Sequence, residues 1–156
     1  MIEPNDFRKW CGMLFAEAFG VAETESGFFL DHGRAGLLGT IDELDAHTAS
    51  AALNTANATI ASHCGHVLYI LQDFTAHSRG ETPTPDWPGS WKTRVVDDAA
   101  WATLRADLRR EYEAIQTWLQ HNQRWDEAPV AALMILVTHC AYHLGEVRQL
   151  LTSLRS

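Results

Sequence analysis

Apolar residues in this chain recur at three- and four-residue intervals and never alternate for long enough to build a sheet, so the chain must bury its hydrophobic surface by packing helical stripes together. A first helix is expected over residues 5–19, where Phe7, Trp10, Cys11, Leu14, Phe15 and Ala18 follow Pro4 and Asn5. Gly20 to Gly33 breaks the pattern. A second helix is expected over 34–46, with Leu37, Leu38, Ile41 and Leu44 on one side and Asp42, Glu43 and Asp45 on the other, weakened by Gly36 and Gly39. The third begins near Asn57 to Thr59 and spans 57–78, on the stripe Ile60, Cys64, Val67, Leu68, Leu71 and Phe74.

Residues 79–96 then read as a long crossover. Pro83, Pro85, Pro88 and Gly89 forbid a regular helix there, while Trp87 and Trp91 are costly to leave in water, so the loop should be packed down over a site or join helices that run the same way. Asp97 or Asp98 can cap a fourth bundle helix over 97–121, with Trp101, Leu104, Leu108, Tyr112, Ile115 and Leu119 inward. The last helix spans 127–154, starting at Asp126 or Glu127 with Pro129 in its first turn; because Val130 to Ala141 is apolar almost all round, it should be the central helix. The expectation is one all-α domain over residues 1–156, with no internal repeat.

Twenty acidic residues against twelve Lys and Arg give a net charge of -8, which opposes binding to nucleic acid or to an anionic membrane surface. The N-terminus lacks the basic-then-apolar order of a secretory signal, and apolar runs such as Val130 to Val137 are too short to span a bilayer. Cys11, Cys64 and Cys140, an odd number without paired spacing, read as reduced core thiols in a cytoplasmic protein.

Within the last helix stands His139-Cys140-Ala141-Tyr142-His143-Leu144-Gly145-Glu146. Residues four apart on a helix differ by about 40° in direction and about 6 Å in height, so both imidazoles can reach one ion. Ala132, Leu136, His143, Glu146, Leu150 and Leu154 all point within roughly 60° of His139, which puts the pair at the centre of the face to be buried. Burying two imidazoles and a carboxylate is unfavourable without compensation, and a divalent cation supplies it. A third ligand is needed, and the third helix offers His63 and His66. Periodicity slightly favours His63, nearer the centre of its apolar stripe, without deciding between them. Glu146 can serve as a fourth ligand, a proton acceptor or a partner that orients a histidine. His32, His47, His77 and His121 read as solvated or capping residues.

The segment Thr59-Ile60-Ala61-Ser62-His63-Cys64-Gly65-His66, followed by His139-x-x-x-His143-x-Gly145-Glu146-Val147-Arg148, resembles the DinB/YfiT-like superfamily of bacterial four-helix-bundle metalloproteins. Gly36-Leu37-Leu38, Asp86-Trp87-Pro88-Gly89-Ser90-Trp91 and Trp101 extend the resemblance over most of the chain. It implies a four-helix bundle with a long crossover, to which the N-terminal helix is an addition that packs across the bundle or into a partner subunit. It implies His66, His139 and His143 as the ligands of a Zn, Ni, Fe or Mn ion and moves His63 to the pocket. Many members carry Gln where this chain has Glu146, and a carboxylate there would lower the Lewis acidity of the ion.

Three neutral nitrogens leave coordination positions open, as catalytic rather than structural sites do. Characterised members of the superfamily use low-molecular-weight thiols such as bacillithiol or mycothiol. The resemblance therefore implies a metal-dependent thiol transferase acting on a small molecule, with Glu146 or His63 moving a proton and Trp87, Trp91 and Tyr142 shaping an apolar pocket. Two other readings stand beside it: a non-catalytic metal-binding or stress-response module working as a homodimer, for which Phe7, Trp10, Leu14 and Phe15 are available, and a metal-dependent hydrolase with Glu146 as base. An open coordination position facing a cavity favours an enzyme.

Overall fold

The computed structural model describes residues 4–20, 27–31, 33–54 and 58–156, and over these it contains six α-helices and no strand. They are α1 (Pro4–Phe19), α2 (Leu37–Asp42), α3 (Ala46–Ser50), α4 (Ile60–Ser78), α5 (Asp98–His121) and α6 (Glu127–Leu154), with one 3-10 turn at Gly89–Trp91 inside the crossover. Asn57, His32 and the residues before Pro4 lie outside the described residues, as does most of the stretch between Gly20 and Gly33.

Local side chains set the helix starts. At α4, Thr59 Oγ1 accepts from the Ser62 N–H at 3.1 Å while Ser62 Oγ accepts from the Thr59 N–H at 2.8 Å, a reciprocal cap. Asp97 accepts from the Ala100 N–H at 2.7 Å and opens α5. The Asp126 carboxylate makes no cap bond at α6 because it pairs with Arg124 at 2.8 Å.

The helix expected over 34–46 is two short helices instead. Asp45 turns its side chain onto the Thr48 N–H at 2.7 Å, which starts α3 and ends the continuity that the apolar period suggested. Both short pieces are held against α5: the Trp101 indole N–H donates to the Leu44 carbonyl at 2.8 Å, and Arg109 pairs with Asp42 at 2.8 Å.

A second correction concerns α1, which is part of the core and not an addition to it. Phe15, Ala18 and Phe19 are fully buried, and Phe19 stacks on Tyr112 of α5 with ring centroids 5.4 Å apart. Four long helices, α1, α4, α5 and α6, therefore share one apolar interior. The third correction is to α6. It buries Leu133, Leu136, Cys140, Leu144 and Val147, yet Met134, Ile135 and Tyr142 on its other side are more than half exposed, so it is not a central helix. By length and composition alone α6 is apolar enough to cross a membrane, which the short run Val130 to Val137 does not suggest. All three cysteines are buried and free.

Gly36 and Glu17 fasten the chain after α1. A Cβ on Gly36 would stand 2.6 Å from both the Glu17 carbonyl oxygen and the Gly20 nitrogen, so the glycine marks a close backbone approach more than a weak helix. The buried Glu17 carboxylate accepts from the N–H groups of Phe28, Phe29 and Leu30 at 2.9, 2.9 and 2.7 Å. Replacing Glu17 with alanine strands three donors in a poorly hydrated place and should cost about 2 kcal/mol or more. A denaturant midpoint that does not move would show that the clamp contributes nothing.

Candidate metal centre

α4 and α6 pack face to face, and their shared face carries the histidines. His66 is buried on α4 and His143 on α6, while His139, one turn earlier on α6, is partly exposed. Their ring nitrogens converge. His139 Nε2 lies 3.0 Å from His66 Nε2 and 3.0 Å from His143 Nε2, and one potential ligand atom from each residue falls within 4.8 Å of the others. Nitrogens bound to one ion at about 2.0–2.1 Å stand about 3.0–3.4 Å apart, so the spacing suits a common cation. Hydrogen bonding cannot satisfy it alone: His139 Nε2 has either one proton or one lone pair, and two nitrogens face it.

The outer nitrogens show which lone pairs point inward. Ser90 Oγ donates its single proton to the Trp87 carbonyl at 2.7 Å, so His66 Nδ1, 2.7 Å from the same oxygen, must be the donor to Ser90. A neutral His66 then carries no proton on Nε2 and is ready to ligate. His143 Nδ1 lies 2.9 Å from His63 Nδ1. For His143 to ligate through Nε2 its Nδ1 must hold the proton and donate to His63, which makes His63 the residue that orients His143.

The crossover builds the other wall. Trp91 stacks on His66 with centroids 4.2 Å apart and meets His63 edge-on at 5.3 Å. Three ties hold the loop to the rest of the chain: the Asp86 N–H donates to the Tyr69 hydroxyl at 2.9 Å, the Thr59 hydroxyl to the Arg94 carbonyl at 2.8 Å, and the Val96 N–H to Ser50 Oγ at 3.0 Å; within the loop the Gly89 N–H donates to Asp86 Oδ1 at 2.9 Å. Gly65 permits this approach, since a Cβ there would meet the Thr93 Cβ at 3.0 Å. The expectation of a packed-down crossover holds for its second half, where Trp91 and Ser90 meet the histidines, but not for Trp87, which is 52% exposed; the role of Ser90 went unread because a loop has no periodicity to reveal it.

Beside the centre lies a cleft of about 640 Å³ that ends at His139 and has Trp87 in its lining. Its other apolar residues include Phe74, which sequence periodicity assigned only to a packing stripe, and Trp118, which it did not single out. Trp91 and Tyr142 are not among its lining residues; Tyr142 is 62% exposed, with its ring edge-on to His143 at 5.0 Å. Glu146 is half-buried and lies outside the three-histidine group. Its charge acts on His63, raising a pKa that burial otherwise lowers. Of the remaining histidines, His47, His77 and His121 are exposed, and the last two donate from Nδ1 to the helix carbonyls of Asp73 and Thr117.

Burial, and then the neighbouring His139 and His63 rings, push His66 down to about 4; burial, and then His139, His63 and His66, push His143 down to about 3. Burial lowers His139 as well. The three rings are therefore neutral at neutral pH, each with one nitrogen free of a proton. In the unfolded chain the same groups titrate near about 6.5, so below that pH the unfolded state binds more protons than the folded one. Metal-free protein should keep this part of its stability above about pH 6.5 and lose it progressively toward about pH 4. A melting temperature that rises on going from neutral to mildly acidic pH after chelation would contradict the burial of neutral imidazoles.

Comparison with known protein families, curated proteins and solved structures finds no match to this chain.

Proposed function

We propose that the chain is a metal-dependent enzyme in which His66, His139 and His143 hold one Zn, Ni, Fe or Mn ion and a low-molecular-weight thiol reacts with a small-molecule acceptor at that centre. The observation that carries this reading is the convergence of the His66 and His143 Nε2 atoms, each 3.0 Å from His139 Nε2, with His139 in the lining of a cleft. Three neutral nitrogen donors suit late first-row divalent ions and leave room for a further ligand. A bound ion would lower the pKa of a coordinated thiol, so that it reacts as thiolate.

The chain's own residues supply the rest. Ser90 and His63 hold the rings of His66 and His143 in the ligating tautomer, and Trp91 covers the His66 ring against water. With its Nδ1 engaged by His143, His63 orients rather than accepts, and Glu146 is left as the acceptor for the thiol proton. The resemblance to DinB/YfiT-like proteins agrees with this arrangement of one early and two late histidines. A homodimer through the exposed side of α6, around Met134 and Tyr142, and a cytoplasmic setting belong to the same proposal.

The cleft favours an enzyme over a purely structural metal module, because His139 faces it. Hydrolysis at the same centre, with Glu146 as base toward a bound water, is the alternative reading. Untagged protein refilled with metal should hold about one ion per chain by elemental analysis. Cobalt-loaded protein should then develop a thiolate-to-metal absorption band on addition of a low-molecular-weight thiol. Failure to hold an ion removes the centre; a bound ion without the thiolate band removes the thiol and leaves the centre.

A further inference from the structure

The cleft that ends at His139 carries a charge pattern that selects its ligand. Ile70 and Phe74 of α4, Trp118 of α5 and Ile135 and Leu136 of α6 make its walls apolar. The same lining also carries polar groups, Asp73 and His77 on α4 and Arg124 and Asp126 before the start of α6. Arg124 stands 2.8 Å from Asp126, so its charge is matched within the cleft. Asp73 faces the His77 imidazole at 3.4 Å, and the Nδ1 of that ring also lies 2.9 Å from the Asp73 carbonyl. With His77 neutral, the lining holds two carboxylates against one guanidinium.

Asp73 is seven residues beyond His66 on α4, which places it about 10 Å along the helix from the histidine centre. We propose that the cleft binds an amphipathic organic cation: an amine whose apolar body spans about 10 Å along Phe74 and Trp118 and whose ammonium group lies beside Asp73. The apolar walls favour such a ligand by burying its body. An anionic end group would meet the uncompensated carboxylate and be repelled. The proposal deepens the reading of the metal centre and rests on it for which end of the ligand reacts, while the cleft chemistry stands on the lining itself.

Calorimetric titration with phenylbutylamine, phenylbutanol and phenylbutanesulfonate tests it, with the sulfonate chosen as a poor metal ligand. The titrations are run on metal-loaded and on chelated protein at about pH 8, where imidazole is neutral and the amine charged. The amine should bind about tenfold more tightly than the sulfonate, with the alcohol between them, in both metal states. Asp73→Asn should erase the order. Arg124→Ala, at an exposed position, should strengthen the preference for the amine by freeing the Asp126 carboxylate. No binding by any of the three, equal or tighter binding of the sulfonate, or an unchanged order in Asp73→Asn would overturn the proposal. Metal content measured on the same samples keeps such a failure distinct from a failure of the histidine centre.

Discussion

Replacing His66 with alanine should lower the affinity for the metal ion by more than about 100-fold, whereas replacing His63 should cost only about 10–100-fold, the range associated with losing a partner that orients a ligand. Both rings are buried in α4 and both reach α6, but through different atoms: His66 presents Nε2 to His139, while His63 meets the outer Nδ1 of His143. Competition with a chromogenic chelator measures the two losses side by side, and circular dichroism checks that α4 survives in each variant. Equal losses would mean that the ligand is misassigned. Ser90→Ala belongs with His63, because it removes only the group that accepts the His66 Nδ1 proton.

Removing the ion from the wild-type protein should lower its melting temperature by about 10 °C. An ion present at about a thousand times its dissociation constant stabilises the folded state by about 4 kcal/mol if the unfolded chain does not bind it. For a chain of 156 residues that corresponds to roughly 10 °C. In the His66→Ala variant the shift should shrink to about a third or less, because an ion bound about 100-fold more weakly stands at only about ten times its dissociation constant and stabilises by about 1.4 kcal/mol. A wild-type protein indifferent to chelation would show that the three rings satisfy one another without an ion.

Helical period made α5 and α6 legible almost to the residue, since a long stripe bounded by Asp97 and Asp126 leaves little freedom. It failed at residues 34–46, where the apolar spacing runs straight through Asp45 while that side chain caps a new helix. Period also states which face of a helix is buried and not what it is buried against. That is why Phe15 and Ala18 could be read as inward-facing while α1 was expected as an addition that packs across the bundle or into a partner subunit. The same limit divided the histidines. His139 and His143 were legible because both lie on one helix, where spacing is geometry. Choosing between His63 and His66 depends on how α4 is rotated against α6, and both turn out to be buried, so stripe position could not separate them.

One contact couples two processes that look independent. The proton that readies His66 for a metal rests on Ser90, and Ser90 is held by a crossover pinned at Tyr69, Thr59 and Ser50. If the centre holds the proposed ion, closure of the crossover and retention of that ion would be one linked equilibrium: whatever lifts the loop would weaken the ion, and a bound ion would resist the lifting by the same factor. A ligand that enters past Trp87 and displaces that segment would therefore act as an eviction signal for the metal, making occupancy of the centre a readout of what the cleft contains.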